Sequence, residues 1–243
     1  MLKLYEPIDR LKAVAPDVWI VDGPAVTFYG MPFPTRMTVI RLATGKLWLH
    51  SPVAPAASLV EEVTSLGSVT HLVSPNWIHY CHIPAWKTLF PGAKCWASPG
   101  VRERAASKGV PLRFDADLGP EAPSEWATEL RQRIMTGSAI HREVVFFHLA
   151  TKTLILTDLI ENFEPERLPW WVRPLARMGG VVDPHGGMPR DMRTTFRGHH
   201  AELRRHIDEL LSWGPERVIL AHGRWFESDG SHELARAFLW LKT

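Results

Sequence analysis

In the stretch NWIHYCHIPAW, residues 76–86, two imidazoles and a thiol (His79, Cys81 and His82) fall within four positions. The stretch follows the apolar run His71-Leu-Val, which reads as the end of a strand. Imidazole nitrogen and thiolate sulfur both suit a zinc-type ion at ~2.0–2.3 Å, and loops at strand ends are where a rigid sheet presents chemistry. Three further groups obey the same rule. His141 lies in GSAIHRE before the run VVFFH, Asp158 ends the run LILT, and His222 closes VILA with Gly223 after it. Loops from separate strand ends that converge on one pocket would meet the geometric requirement of a metal centre. Each histidine taken singly reads as readily as a hydrogen-bonded structural residue, and Cys81 as a small buried hydrophobe.

The elements that would position these groups can be read from periodicity. Val18 to Val21, Thr27 to Tyr29, Arg36 to Leu42 and Lys46 to His50 are short β-favouring runs. Gly23-Pro24, Met31-Pro-Phe-Pro34 and Thr44-Gly45 separate them as turns, which predicts an antiparallel meander. Ala56 to Leu66 has helical spacing, Val69 to Ser74 returns to strand, and Ile83 to Phe90, Lys94 to Ala97 and Pro99 to Ser107 continue as helix, strand, helix. In the second half Glu125 to Met135, Val144 to His148 and Thr153 to Thr157 read as strands. An aperiodic segment at about 160–192, rich in Pro, Gly and Trp, is expected to act as a lid over a site. Within it the pair Trp170-Trp171 reads first as a core plug and otherwise as a patch for a partner or a membrane surface. Thr194 to Trp213 is predicted as one amphipathic helix, Arg217 to Leu220 as a strand and Ser231 to Leu241 as a terminal helix. Two β layers flanked by helices predict an α/β chain folded as an αββα four-layer sandwich, residues 1–243 forming a single domain.

Composition narrows the function classes. At 243 residues and 45% hydrophobic the chain can bury a full core, and its net charge of +2 gives no reason to expect nucleic acid as a partner. Two cysteines, Cys81 and Cys95, are too few for a disulfide scaffold. Charges interrupt every apolar run of the N-terminal segment MLKLYEPIDRLKAVAPDVWIVDG, so no signal-peptide core is present. No later run approaches the ~20 residues of a membrane span. The expectation is a cytoplasmic protein without integral membrane association, acting on a small-molecule substrate, with its oligomeric state open.

The order of these motifs resembles the metallo-β-lactamase fold superfamily. Members of that superfamily carry a His-x-His-x-Asp-His loop after a strand, then a His before a strand, an Asp at a strand end and a final Gly-His-Gly. Here the corresponding stretches are Trp77-Ile-His79-Tyr-Cys81-His82, His141 in GSAIHRE, Thr157-Asp158-Leu159 and Leu220-Ala-His222-Gly223. FPGAKCWAS and WGPERVILAHG fit the flanking elements, so the resemblance spans roughly residues 14 to 225. Trp77 stands in place of the first histidine, Cys81 in place of the aspartate, and Ser51-Pro52 where Asp-x-Gly is usual, while His141 is about one residue out of register. These departures resemble an uncharacterised branch of the superfamily with altered metal-binding loops.

The resemblance implies a ligand set. One centre would use Cys81, His82, Asp158 and His222, while a second, keeping His79, His141 and a share of Asp158, lacks the donor that Trp77 replaces. One ion is therefore expected, zinc or else iron or manganese, with a metal-free state as the alternative. A bound metal would bring water to a pKa near ~7, and Asp158 could orient the resulting nucleophile. The implied activity is hydrolysis of an ester, thioester, lactone, amide or phosphodiester. The alternatives are a degenerate, metal-free member of the fold that serves as a binding or scaffold protein, and an iron oxidoreductase using the same pocket.

Overall fold

In a computed structural model, which describes residues 1–242, the chain forms two facing β-sheets. The first sheet holds seven strands in chain order: β1 (Lys12–Ala15), β2 (Val18–Phe28), β3 (Met31–Arg41), β4 (Lys46–His50), β5 (Ser68–Ser74), β6 (Lys94–Ala97) and β7 (Ala116–Asp117). Strands β1 to β4 pair antiparallel and β4 to β7 pair parallel. Helices α1 (Ala57–Leu66), α2 (Ile83–Leu89) and α3 (Val101–Ser107) supply the crossovers that parallel pairing requires. The second sheet holds β8 (Leu130–Met135), β9 (Glu143–His148), β10 (Thr153–Ile155) and β11 (Arg217–Ile219), in the order β11-β10-β9-β8. Helices α4 (Arg173–Gly179), α5 (Arg190–Thr195), α6 (His200–Ser212) and α7 (Gly230–Ala237) complete the chain with a terminal 3-10 turn, Leu239–Lys242.

The alternation of side chains along the strands builds three apolar layers, as the expected four-layer sandwich requires. Val39, Leu47 and Leu49 point out of the first sheet onto Leu59 and Val63 of α1 and Ile83 and Trp86 of α2. Their sequence neighbours Ile40 and Trp48 point the other way, into the space between the sheets, where they meet Val144, Phe146 and Ile155. Val145, Phe147 and Leu154 then face outward again onto Leu203, Ile207 and Leu210 of α6 and Leu234 of α7. A period of two residues thus places both faces of each sheet against apolar matter. Trp48 at the middle layer is fully buried and stacks on His50 with ring centroids 5.4 Å apart.

Several boundaries differ from expectation for local physical reasons. The first two β runs are one continuous strand, because a bulge between Gly23 and Val26 absorbs the Gly-Pro pair. Met31-Pro-Phe-Pro34, expected as a turn, is the first part of β3, and the turn is Tyr29-Gly30 instead. Pro32 and Pro34 are tolerated because this part of β3 pairs only with β2, whereas β4 joins from Thr38 onward, so the prolines face an open edge. The predicted helix 194–213 is two helices, α5 and α6, with Gly198 at φ 84° between them. The segment at 160–192 contains α4 and has a small core of its own, in which Phe163, Leu168, Val172, Ala176 and Val181 pack with Leu2 and Phe33. Trp170 and Trp171 are exposed beside that core and plug nothing.

Candidate metal centre

The centre is built where the ends of β5, β10 and β11 open into loops. Asn76, fully buried in the loop after β5, ties two of these loops together. Its Oδ1 accepts the backbone N–H groups of Ile78 (3.0 Å) and His79 (3.1 Å), which folds the turn that presents the His79 ring. Its Nδ2 donates to Thr157 Oγ1 (3.0 Å) and to Asp158 Oδ2 (2.7 Å). Beneath the second loop the buried Glu143 carboxylate accepts three backbone N–H groups, from Thr157 (2.6 Å), Asp158 (2.8 Å) and Leu159 (3.0 Å). The chain after β10 is thereby turned so that the Asp158 side chain faces its partners.

The third loop is clamped from the opposite side. Arg36 of β3, itself buried, donates from Nη1 to the carbonyls of Leu220 (2.7 Å) and Gly223 (2.8 Å), on either side of His222. Its charge is matched by the buried Asp22 (2.7 Å), which also takes Lys12 Nζ (2.8 Å). Gly223 has φ 88°, and a side chain there would run into the Asn162 carbonyl, so only glycine permits this close approach.

The three loops bring His79, Asp158 and His222 together, with one donor atom from each within 4.8 Å of the others. Asp158 Oδ1 lies 3.1 Å from Nε2 of both histidines. The remaining nitrogen of each ring is held as a ligand histidine needs. His222 Nδ1 donates to the Pro34 carbonyl (2.8 Å), and His79 Nδ1 is 2.6 Å from Ser51 Oγ. Asp158 and His222 are buried, and His79 keeps a small exposed edge, which leaves an approach from solvent on its side.

Charges in the cluster are strongly coupled. Burial works against ionisation of Asp158, but the charge of His79 and hydrogen bonds from His222 and His79 hold its carboxyl well below the usual range. Burial likewise opposes a charged His222, and the hydrogen bond to Asp158 outweighs it, raising the imidazole above its ordinary value. Because the Pro34 carbonyl can only accept, His222 Nδ1 carries a proton, which leaves Nε2 as the nitrogen directed at Asp158. His141 is raised as well, since its bond to Glu143 and the charge of Asp158 overcome burial. Burial pushes Glu161 up to about 8, with His222 opposing and Asp158 adding to the shift.

Of the six residues expected as ligands, His79, Asp158 and His222 form this first group, and His141 forms a second with Glu143 and the shared Asp158. Cys81 and His82 belong to neither group. Cys81 is exposed, with its thiol 3.6 Å from the Ile78 carbonyl, so it is not a buried thiol either. His82 precedes α2, and its Nε2 is buried without a hydrogen-bond partner among the described residues. Trp77, in the place of a histidine, turns its ring away to lie under the Arg104 guanidinium of α3, 4.8 Å from centroid to carbon.

Ser51 stands out in the sequence only as a departure from Asp-x-Gly, and Asn76, Glu143 and Arg36 are not singled out there. Ser51 has φ 52°, a left-handed conformation that is uncommon for a residue with a side chain and frequent at functional sites. Asn76 carried a usable signal, since an Asn just after a strand favours a side-chain-to-backbone turn. For the Arg36 clamp no local signal exists, because the two carbonyls that it holds lie more than 180 positions away.

Residues 16–170 match the family model described as a domain of unknown function, DUF4336. A comparison with curated proteins finds no match by sequence. Among solved structures, the chain is similar to a metallo-beta-lactamase from Pontibacter korlensis, at 14% identity and TM-score 0.62 over 99% of this chain and 100% of that one. It is similar also to the DIM-1 metallo-beta-lactamase, at 14% identity and TM-score 0.66 over 99% of each chain. A third neighbour is FIM-1 from Pseudomonas aeruginosa in its mono-zinc form, at 10% identity and TM-score 0.64 over 96% of this chain and 94% of that one.

Proposed function

The chain belongs to the DUF4336 family and has the metallo-β-lactamase fold, and from that premise we propose that it is a metal-dependent hydrolase centred on His79, Asp158 and His222. The observation that carries this reading is the donor set itself. Two imidazole nitrogens and one carboxylate oxygen converge, and each ligand is oriented from behind by Pro34, Ser51 or Asn76. Three protein donors with a fourth position left open are the pattern of catalytic rather than structural zinc. The residues present therefore fit a zinc-type ion, with iron or manganese as other occupants of the same donors.

One ion is favoured over two. Around the second group the Glu143 carboxylate is already engaged by three backbone N–H groups, which a cation would have to displace. His141, 3.4 Å from Glu143, has its pKa raised by that carboxylate and by Asp158, which favours a proton over a cation at its ring. Cys81 is left out of the ligand set.

When bound, the metal supplies Lewis acidity, polarising a carbonyl or phosphoryl oxygen and lowering the pKa of water toward ~7. The rest of the work falls to this chain's residues. Asp158, held ionised, would orient a nucleophilic water by accepting a hydrogen bond from it rather than its proton. His222 stays fixed through Pro34 and the Arg36 clamp. Burial pushes the Glu161 carboxyl up to about 8, which disfavours a second anion beside Asp158. The substrate class is a small ester, thioester, lactone, amide or phosphodiester. Turnover of chromogenic members of these classes by zinc-loaded protein tests the reading. Asp158→Ala is expected to lower it at least ~100-fold, and activity indifferent both to that change and to chelation would refute the proposal.

A further inference from the structure

The outward side of α4 serves no interior purpose. Trp170 is 79% exposed, Trp171 41%, Leu175 43% and Met178 65%, although the same segment buries Leu168, Val172 and Ala176 against its own core. Four large apolar side chains left in water within nine residues are an unpartnered face, not scattered surface residues. Its surroundings are cationic. Between Arg167 and Asp183 the chain has no carboxylate, and neither Arg173 nor Arg177 of α4 enters an ion pair among the described residues. Arg190 leans on the same helix from outside, donating to the Met178 carbonyl at 3.1 Å.

Arg173 also donates to the Leu168 carbonyl at 3.1 Å. Yet tryptophans with a polar N–H edge, aliphatic side chains and arginines without a carboxylate partner on one short surface are the combination that settles at the boundary of a bilayer. The rings enter the headgroup region while the guanidinium groups meet lipid phosphates. A protein partner would need carboxylates facing those arginines and a hollow for the tryptophans, whereas a bilayer supplies phosphates and an apolar layer without a shaped pocket. We propose that α4 and the preceding Trp170-Trp171 pair are a docking surface for an anionic phospholipid bilayer, a peripheral attachment that requires no membrane-spanning helix. None is present in the structure: no described helix is long and apolar enough to cross a membrane. The second aromatic outlier, Tyr29 at the β2–β3 turn, is 85% exposed and connects to the α4 core through Phe28, Phe33 and Phe163, with successive ring centroids 4.5 to 6.0 Å apart. Phe33 also meets the His222 ring with centroids 5.4 Å apart, so the core beneath α4 reaches the candidate metal centre.

Sedimentation of the full chain with vesicles tests this without reference to catalysis. The protein is expected to bind vesicles of equal parts phosphatidylcholine and phosphatidylglycerol, to bind pure phosphatidylcholine far less, and to be released by salt. Tryptophan emission should shift to the blue on binding. Trp170→Ala with Trp171→Ala is expected to weaken the association at least about tenfold, and Arg173→Gln with Arg177→Gln to remove the preference for anionic lipid. Trp170, Trp171 and Arg177 are exposed and Arg173 is half-buried, and thermal unfolding would verify that the variants remain folded. Absence of vesicle binding, or binding that the tryptophan variant leaves intact, would overturn the proposal. So would self-association abolished by the same variant without any vesicle binding, which would make the face a protein interface.

Discussion

Asp158 sits between two imidazoles in a space nearly closed to water, and a carboxylate there persists only if positive charge balances it. Without metal, protonation of His222 would supply that charge; a bound ion would take the place of that proton at Nε2. Metal uptake should therefore release protons, and affinity should weaken as pH falls, since the raised pKa of His222 starts the competition above 6.5. Asn76 is the residue on which this arrangement turns, because it bonds Asp158 and the His79 turn at once. Asn76→Ala is expected to reduce metal affinity by roughly 10- to 100-fold, measured by competition with a chromophoric chelator. An unchanged affinity would show that the turn is held by other means.

At the scale of elements, the His222 loop depends on a strand of the other sheet. Arg36 of β3 spans the Leu220 and Gly223 carbonyls and leaves its remaining donors to Asp22. Arg36→Met would strand a buried carboxylate that Lys12 satisfies only in part, so a loss of about 3 kcal/mol in urea unfolding is expected. A midpoint within error of the parent would contradict the clamp. This level also marks the limit of sequence reading. Strands, crossovers and the loops bearing His79, Asp158 and His222 follow from periodicity and turn residues near each position. The Arg36 clamp depends on which strands face one another, and no local pattern encodes that. Cys81 shows the converse: its spacing from His82 looked like a ligand pair, but the turn set by Asn76 directs His79 inward and leaves the thiol in solvent. Likewise the Met31–Pro34 segment read as a turn because its prolines were weighed without the open edge that tolerates them.

For the molecule as a whole, the three apolar layers contain histidines that must stay neutral. Burial drives His50 from 6.5 to about 3, with the charge of His79 adding to the shift, and burial drives His71 to about 4. Both are bases whose folded pKa is depressed, so the unfolded chain binds more protons below 6.5. The stability they allow is complete above 6.5 and is lost as pH falls toward 4 and then 3. Each unit of depression is worth about 1.4 kcal/mol at full effect, so the fold should weaken steeply between pH 6.5 and 4. His222 and His141 run in the opposite sense, their raised values stabilising the fold at lower pH until Asp158 takes a proton. His50→Phe tests the balance, since Nε2 of His50 has no partner to lose and a phenyl ring can keep the stack on Trp48. The variant is expected to show a shallower decline of the urea midpoint from pH 7 to 5; an identical slope would remove His50 from the account.

The proposed hydrolysis requires a single transition-metal ion held by His79, Asp158 and His222. Elemental analysis of protein purified without chelator measures this directly, on the parent chain, His222→Ala and Cys81→Ser. About one ion per chain in the parent and in Cys81→Ser, with near none in His222→Ala, is the predicted result. A parent protein devoid of metal after purification and reloading, or one that loses its ion through Cys81→Ser, would contradict it.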